Sequence, residues 1–440
     1  MKLLNKNIKY YAAIAAFGLI ASCKPTINID EPASNTQVDF SKYIAIGNSL
    51  TAGYSNGGLY LSGQQNSFPN FIAEKMKRFG GGEFITPYFS EEQRNGSGYI
   101  RLKALINGAP VTESVTTNLA IRGFNEAGAT LYTRYTGTDI NNLGVPGMRL
   151  DMAFANGVGS VAGNPYFERL LPENAPLTTT YFDYSTSKNH TFFSFALGNN
   201  DVLGYATNGA YTDSPTNTLT SIPLFTQLYT NYINTLTTNN QKGVVATIPD
   251  VTETPFLNTV TTQLLEQGVT ASTGGVFTKI WISTANGARE ATSADLFALT
   301  FDTDTLGKAV VFGNPRTAGY GLLQSNPLHD KHVLDKDEVL EVKNTINAYN
   351  AAIKNIADSK GLAIADVYDF MNKVKVGYNY NGIAISNKYI TGNAFSLDGI
   401  HLTPMGYAIM ANIFIDAINA KYNTALEKVD ATQYPAVLIP

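Results

Sequence analysis

The side chains here whose types and spacing could do covalent chemistry are Ser49, Asp398 and His401. A serine hydroxyl is a weak nucleophile until a neighbouring base takes its proton. His401 could take that proton and later hand it to a leaving group. Asp398, three residues earlier, could hold the other ring nitrogen and fix the tautomer. Attack on an acyl carbon places negative charge on oxygen, which needs donors already in position. The side-chain amide of Asn200 and the backbone N–H groups of Gly147 and Ser49 could serve as that oxyanion hole. Glycine at 147 lets the backbone approach a reacting oxygen closely. Each residue alone has an ordinary explanation, as a turn or a helix entry. Their order singles out the set, with Ser49, Gly147 and Asn200 after predicted strands and Asp398 and His401 just before the last helix.

The elements that must position them read as alternating strands and helices. "KYIAIG", 42–47, is an apolar strand, and Ser49 follows it. A helix is expected over 68–80. "TDINNLGVPGMRLDMAFANG", 138–157, reads as a short strand, a Gly-Val-Pro-Gly turn and an amphipathic helix. "HTFFSFALGNND", 190–201, is a buried strand ending at Asn200 and Asp201. A helix over 221–240 should bury Leu224, Leu228, Tyr232 and Leu236. Further strands are expected at 243–251 and 362–370. The helix between them should open with a capping box of Asp335 and Glu338 and bury a face running from Val339 to Ile356. The last helix should start with Thr403 as N-cap and Pro404 at its first position. Such alternation implies a parallel sheet covered on both faces, with a site at the carboxyl ends of its strands.

The four stretches together resemble the SGNH hydrolases, the GDSL esterase/lipase family. "GNSLTAGY" is similar to the family's first block, with Asn48 where Asp is commonest. "NLGVPG", "GNND" and "DGIHLTPMGY" resemble the second, third and last blocks. The resemblance frames residues from about 40 to 422. It implies a flavodoxin-like three-layer α/β/α sandwich with a parallel sheet. It also implies a serine esterase or lipase with Ser49, Asp398 and His401 as catalytic residues and Ser49, Gly147 and Asn200 as oxyanion hole. No metal or cofactor is implied. An asparagine at 48 can still bond nearby backbone donors. Asn142 and Asp201 fall in matching blocks and are expected to shape loops.

Two long segments fall outside the repeating pattern. Residues 81–136 carry Gly clusters and alternating stretches, as a β-rich insertion would. Residues 267–333 are irregular and rich in Gly, Thr and Asn. Both are expected to form a lobe or lid over the strand ends and to choose the substrate. Aromatics such as Tyr132 and Tyr320 could then choose the substrate or pack the insertion's own small core. In "LHDKHVLDKDE" the residues His329, Asp330, His332 and Asp335 match no strong metal-ligand spacing.

The first 22 residues read as a leader: Lys2, Lys6 and Lys9, then a short apolar run at about 12–21. The run ends in Ile20-Ala21-Ser22-Cys23, which resembles a bacterial lipobox. Cys23 is then the expected lipidation site, and residues 23–40 a polar tether. Lys24 stands where lipoproteins held at the inner membrane tend to have Asp, so an outer-membrane anchor is expected. As the single cysteine, Cys23 leaves no partner for an intramolecular disulfide. The domain itself is expected over 41–422, with a tail at 423–440. Of the 440 residues, 44% are hydrophobic, enough for a sizeable core, and the net charge of -4 gives nucleic acid no basic face. The expected partners are an ester substrate (lipid, glycan or small ester) and a membrane. Acyl transfer to a sugar, thioester hydrolysis and non-catalytic binding at the surface are the alternatives.

Overall fold

The computed structural model describes residues 38–106, 109–309 and 318–440. The leader, most of the tether and Cys23 lie outside the described residues.

Four parallel strands form the central sheet, in the order β1 (Tyr43–Gly47), β2 (Phe192–Ala196), β3 (Lys242–Ala246) and β4 (Ala363–Ala365). Successive side chains of a strand face opposite sides, and the core divides accordingly. Tyr43, Ala45, Phe192, Val244 and Ala363 join one apolar cluster. Ile44, Ile46, Phe193, Phe195 and Val245 join the other. β1 runs directly into a one-turn helix, α1 (Ser49–Ala52). On the first face lie α2 (Phe68–Met76) and, nearer the carboxyl terminus, two further helices described below. The second face is covered by α3 (Asn200–Thr207), α4 (Ile222–Leu236) and α5 (Lys336–Ser359). The first face is completed by α6 (Val367–Val376) and α7 (Pro404–Tyr422). Each buried Leu, Ile or Phe contributes about 1.5–3 kcal/mol relative to exposure. The architecture is thus the expected α/β/α sandwich.

Several expectations need correction. The segment at 141–145 runs beside β1 with backbone bonds such as Leu143 N to Ala45 O, but only Ala45 and Asn142 pair as a bridge. The amphipathic helix after it is one turn of 3-10 helix, Met152–Phe154. Its preceding backbone donors, Leu150 and Asp151 N–H, bond the Asp201 carboxylate instead of a helical carbonyl. In α4, Leu224 is 42% exposed, and the buried face is Phe225, Tyr229, Tyr232, Ile233 and Leu236. The stacking of Phe225 on Tyr349, ring centroids 3.8 Å apart, sets that rotation. The strands expected at 190–201, 243–251 and 362–370 stop at Ala196, Ala246 and Ala365. The last is cut short by Asp366, whose side chain accepts from Asp369 N and starts α6.

Both caps read from the sequence are present. Asp335 and Glu338 close the capping box of α5, and Thr403 accepts from Gly406 N at the start of α7. The first insertion is β-rich, with hairpins Tyr99–Ile106/Ala109–Val115 and Ile121–Phe124/Thr130–Tyr132. The second begins inside a helix, Thr262–Ser272, and folds around a core of Ile280, Phe297, Tyr320 and Leu328, which Leu265 of that helix joins. The carboxyl-terminal segment is no loose tail. Leu426, Val429 and Ala431 are buried, and Asn412 exchanges two hydrogen bonds with the Val429 backbone.

Candidate active site

Strand β1 ends at Gly47, where a Cβ would come within 2.0 Å of Thr51 Oγ1 and 3.0 Å of the Ala196 carbonyl. Only glycine lets the chain turn this tightly. Asn48 caps α1 by accepting from Leu50 N at 3.2 Å, and its Nδ2 donates to Asn199 Oδ1. That bond ties the end of β1 to the end of β2. Ser49 is the first residue of α1, 5% exposed.

Ser49 Oγ lies 2.9 Å from His401 Nε2, and His401 Nδ1 lies 2.9 Å from Asp398 Oδ2. With Nδ1–H given to the carboxylate, Nε2 is the acceptor for the serine proton. Asp398 Oδ1 accepts from the backbone N–H of His401 at 2.8 Å and Ile400 at 2.9 Å, and Oδ2 from Gly57 N at 2.8 Å. Burial pushes the Asp398 carboxyl up, but the His401 charge and these donors outweigh it, and the carboxyl ends far below its usual range. It is therefore an anion that orients the ring. Tyr54 packs against the His401 ring at 4.6 Å.

Gly147 sits at φ 76°, a conformation that disfavours any side chain. Asn200 opens α3, at the end of β2. Its Nδ2 donates to the Met148 carbonyl at 2.9 Å. An amide nitrogen carries two hydrogens, so one is held by the segment after Gly147 and one remains to donate. Asp201, fully buried, accepts from Leu150 N at 2.7 Å and from Thr220 Oγ1 at 2.7 Å. Burial and the nearby Asp151 raise its pKa to about 6. The structure thus joins Ser49, His401 and Asp398 in one hydrogen-bonded chain. It also ties Asn200 to the segment after Gly147.

Sequence reasoning missed three contributors. Asn199 takes the bond from Asn48, and the doubled asparagine of "GNND" was its signal. Arg149, 1% exposed, was legible only as a charge within an apolar stretch. Tyr54 gave no signal before its ring was seen on His401.

The insertions do not both reach this site. Tyr132 stacks on Tyr166 at 4.8 Å, and Tyr166 meets Tyr54 edge-on. Tyr320, 2% exposed, packs instead inside the second insertion, so it does not line the site. Asn142 shapes its loop as expected, donating to the Thr51 carbonyl and accepting from Gly144 N.

Residues 43–414 match the family model of the GDSL-like lipase/acylhydrolases. No relative was found among curated proteins.

Proposed function

Because the chain belongs to the GDSL-like lipase/acylhydrolase family, serine hydrolases acting on esters, we propose that it cleaves carboxylic esters through an acyl-enzyme on Ser49. Ser49 Oγ attacks the ester carbonyl carbon while His401 Nε2 takes its proton. The resulting oxyanion is held by the N–H groups of Ser49 and Gly147 and the Asn200 amide. The C–O bond to the alcohol breaks as His401 returns the proton to the departing oxygen. Water then attacks the acyl-enzyme, with His401 again taking and returning one proton, and the carboxylic acid leaves. Asp398 stays ionised throughout. The continuous chain from Ser49 through His401 to Asp398 carries this reading. The test is a panel of esters varied in acyl length, with Ser49→Ala as control. The proposal stands on turnover that disappears in the variant and falls on turnover that persists.

We further propose that the protein lies in the bacterial cell envelope, anchored to the outer membrane through lipidated Cys23. The basic-then-apolar leader and the lipobox-like run before Cys23 support it. Lipidated Cys23, with more than one acyl chain, would hold where a single chain binds only marginally. Metabolic labelling with a fatty-acid analogue should mark the wild type and not Cys23→Ala. An unlabelled, freely soluble wild type would overturn the anchor.

A further inference from the structure

Shortly after the nucleophile the chain closes a tight turn, Ser55-Asn56-Gly57-Gly58. Ser55 N donates to the Gly58 carbonyl at 2.9 Å and Gly58 N to the Ser55 carbonyl at 3.0 Å. Both central residues have positive φ, 53° at Asn56 and 75° at Gly57, a conformation for which Asn-Gly is the favoured pair. Just before it, Tyr54 N donates to the Ser49 carbonyl at 2.9 Å, which keeps the turn close to α1.

The turn reaches across to the loop that carries Asp398, 341 residues away along the chain. Gly57 N–H donates to Asp398 Oδ2 at 2.8 Å, the same oxygen that meets His401 Nδ1. Asn56 N–H donates to Ser396 Oγ at 2.9 Å, and the Ser396 hydroxyl donates to Asp398 Oδ1 at 3.2 Å. Asn56 Oδ1 accepts from Leu397 N at 3.1 Å. From behind, Ile100 N of the first insertion donates to the Asn56 carbonyl at 2.9 Å, and Asn56 Nδ2 donates to the Tyr60 hydroxyl at 2.9 Å.

The donors to Asp398 divide by origin. Ile400 N, His401 N and Ser396 Oγ belong to its own loop and move with it. Alone, they stabilise the anion without setting its distance from the nucleophile. Gly57 N–H and Asn56 belong to the segment that carries Ser49, so their bonds fix the acid loop relative to Ser49. Ser396, 1% exposed, is the buried link between the two. Glycine at 56 would adopt the positive φ but offer Leu397 N no side-chain acceptor, whereas asparagine does both.

We propose that Asn56 and Ser396 are positioning residues of this site. Together with the Gly57 N–H they hold the Asp398 carboxylate where it can orient the His401 ring toward Ser49. This rests on the esterase reading above. Their side chains act through Asp398, not on the reacting atoms. Without either one the acid loop gains freedom relative to Ser49, and the ring is less often aligned to take the serine proton. The loss falls on the chemical step, so kcat drops while KM holds.

The test makes Asn56→Gly and Ser396→Ala in the wild type and in Asp398→Ala, and measures turnover of a nitrophenyl ester beside the rate of Ser49 labelling by a fluorophosphonate. Urea midpoints check folding, and if one variant fails to fold the other decides. In the wild type each change should lower kcat and the labelling rate by about 10–10², as displacement of a positioned group does, with KM within about twofold. In Asp398→Ala each should cost less than about twofold, because the group they position is gone. Equal losses in both backgrounds, a raised KM with kcat preserved, or wild-type rates in both variants would overturn the positioning role and leave the esterase reading standing. A wild type that neither turns over esters nor is labelled at Ser49 would overturn the two together.

Discussion

The guanidinium of Arg149 donates to the carbonyl oxygen of Asn200 across 3.3 Å. It thereby ties the stretch after Gly147 to the residue proposed as the oxyanion donor. The same group reaches the carbonyls of Thr216 and Thr218 and the carboxylate of Asp151. Arg149→Met should lower kcat while KM moves little, since displacement by about 1 Å of a positioned group can slow a reaction by about 10². It should also destabilise the fold by about 1–3 kcal/mol, because the Thr216 and Thr218 carbonyls lose their charged donor while Asp151, part exposed, keeps Met152 N and Thr220 Oγ1. Arg149→Lys keeps the charge but not the fork and should recover only part of the rate. A rise in KM with kcat preserved would mean that Arg149 acts on substrate binding.

Asn200→Ala removes the proposed donor directly. The loss of one such group lowers kcat by about 10²–10³. Steady-state kinetics on the best ester should show that fall with KM nearly unchanged. A variant with normal kcat would place the oxyanion elsewhere.

The carboxyls of Asp398 and Asp201 should respond oppositely to pH. Asp398 has a folded pKa below its unfolded value near 3.8. Its contribution to stability is therefore present above about 4 and lost as pH falls below that. Asp201 is raised to about 6. The folded state then holds its proton longer, and that contribution is lost as pH rises from about 4 to about 6. Urea midpoints should show Asp398→Asn converging on the wild type as pH falls. Asp201→Asn should gain on the wild type as pH rises through that window. The reverse order for either variant would contradict the assigned environments.

The two insertions should separate in their effects. Tyr132 reaches His401 through Tyr166 and Tyr54, so Tyr132→Ala should change the relative kcat/KM across a panel of esters. Tyr320→Ala should lower the melting temperature, by about 3–5 kcal/mol of stability in line with large aromatic truncations, and leave the ranking of esters alone. A ranking shifted by Tyr320→Ala and not by Tyr132→Ala would reverse the assignment.

The sequence was most legible where one local rule decided the outcome. Thr403-Pro404 and Asp335/Glu338 announced their helices because a cap is a property of four consecutive residues. The placement of Ser49 and Asn200 followed from strand ends in a parallel sheet, and that of His401 from the turn before the Thr403 cap. What could not be read was set by distant partners. Leu224 turned outward because Phe225 found Tyr349, more than a hundred residues away. The helix expected after Gly147 shrank to one turn because Asp201 captured the backbone donors before it. The helix after Asp366 was hidden by an apolar run that fits a strand and a helix equally. Tyr132 and Tyr320 look alike in sequence, and only packing separates them.

In the proposed reaction Ser49 carries the acyl group. The most direct measurement is peptide mapping of the wild-type protein after reaction with a fluorophosphonate, alongside Ser49→Ala. A single adduct is expected on the peptide containing Ser49, formed as ester turnover disappears, and none in the variant. An adduct on another serine, or turnover that survives in Ser49→Ala, would contradict it.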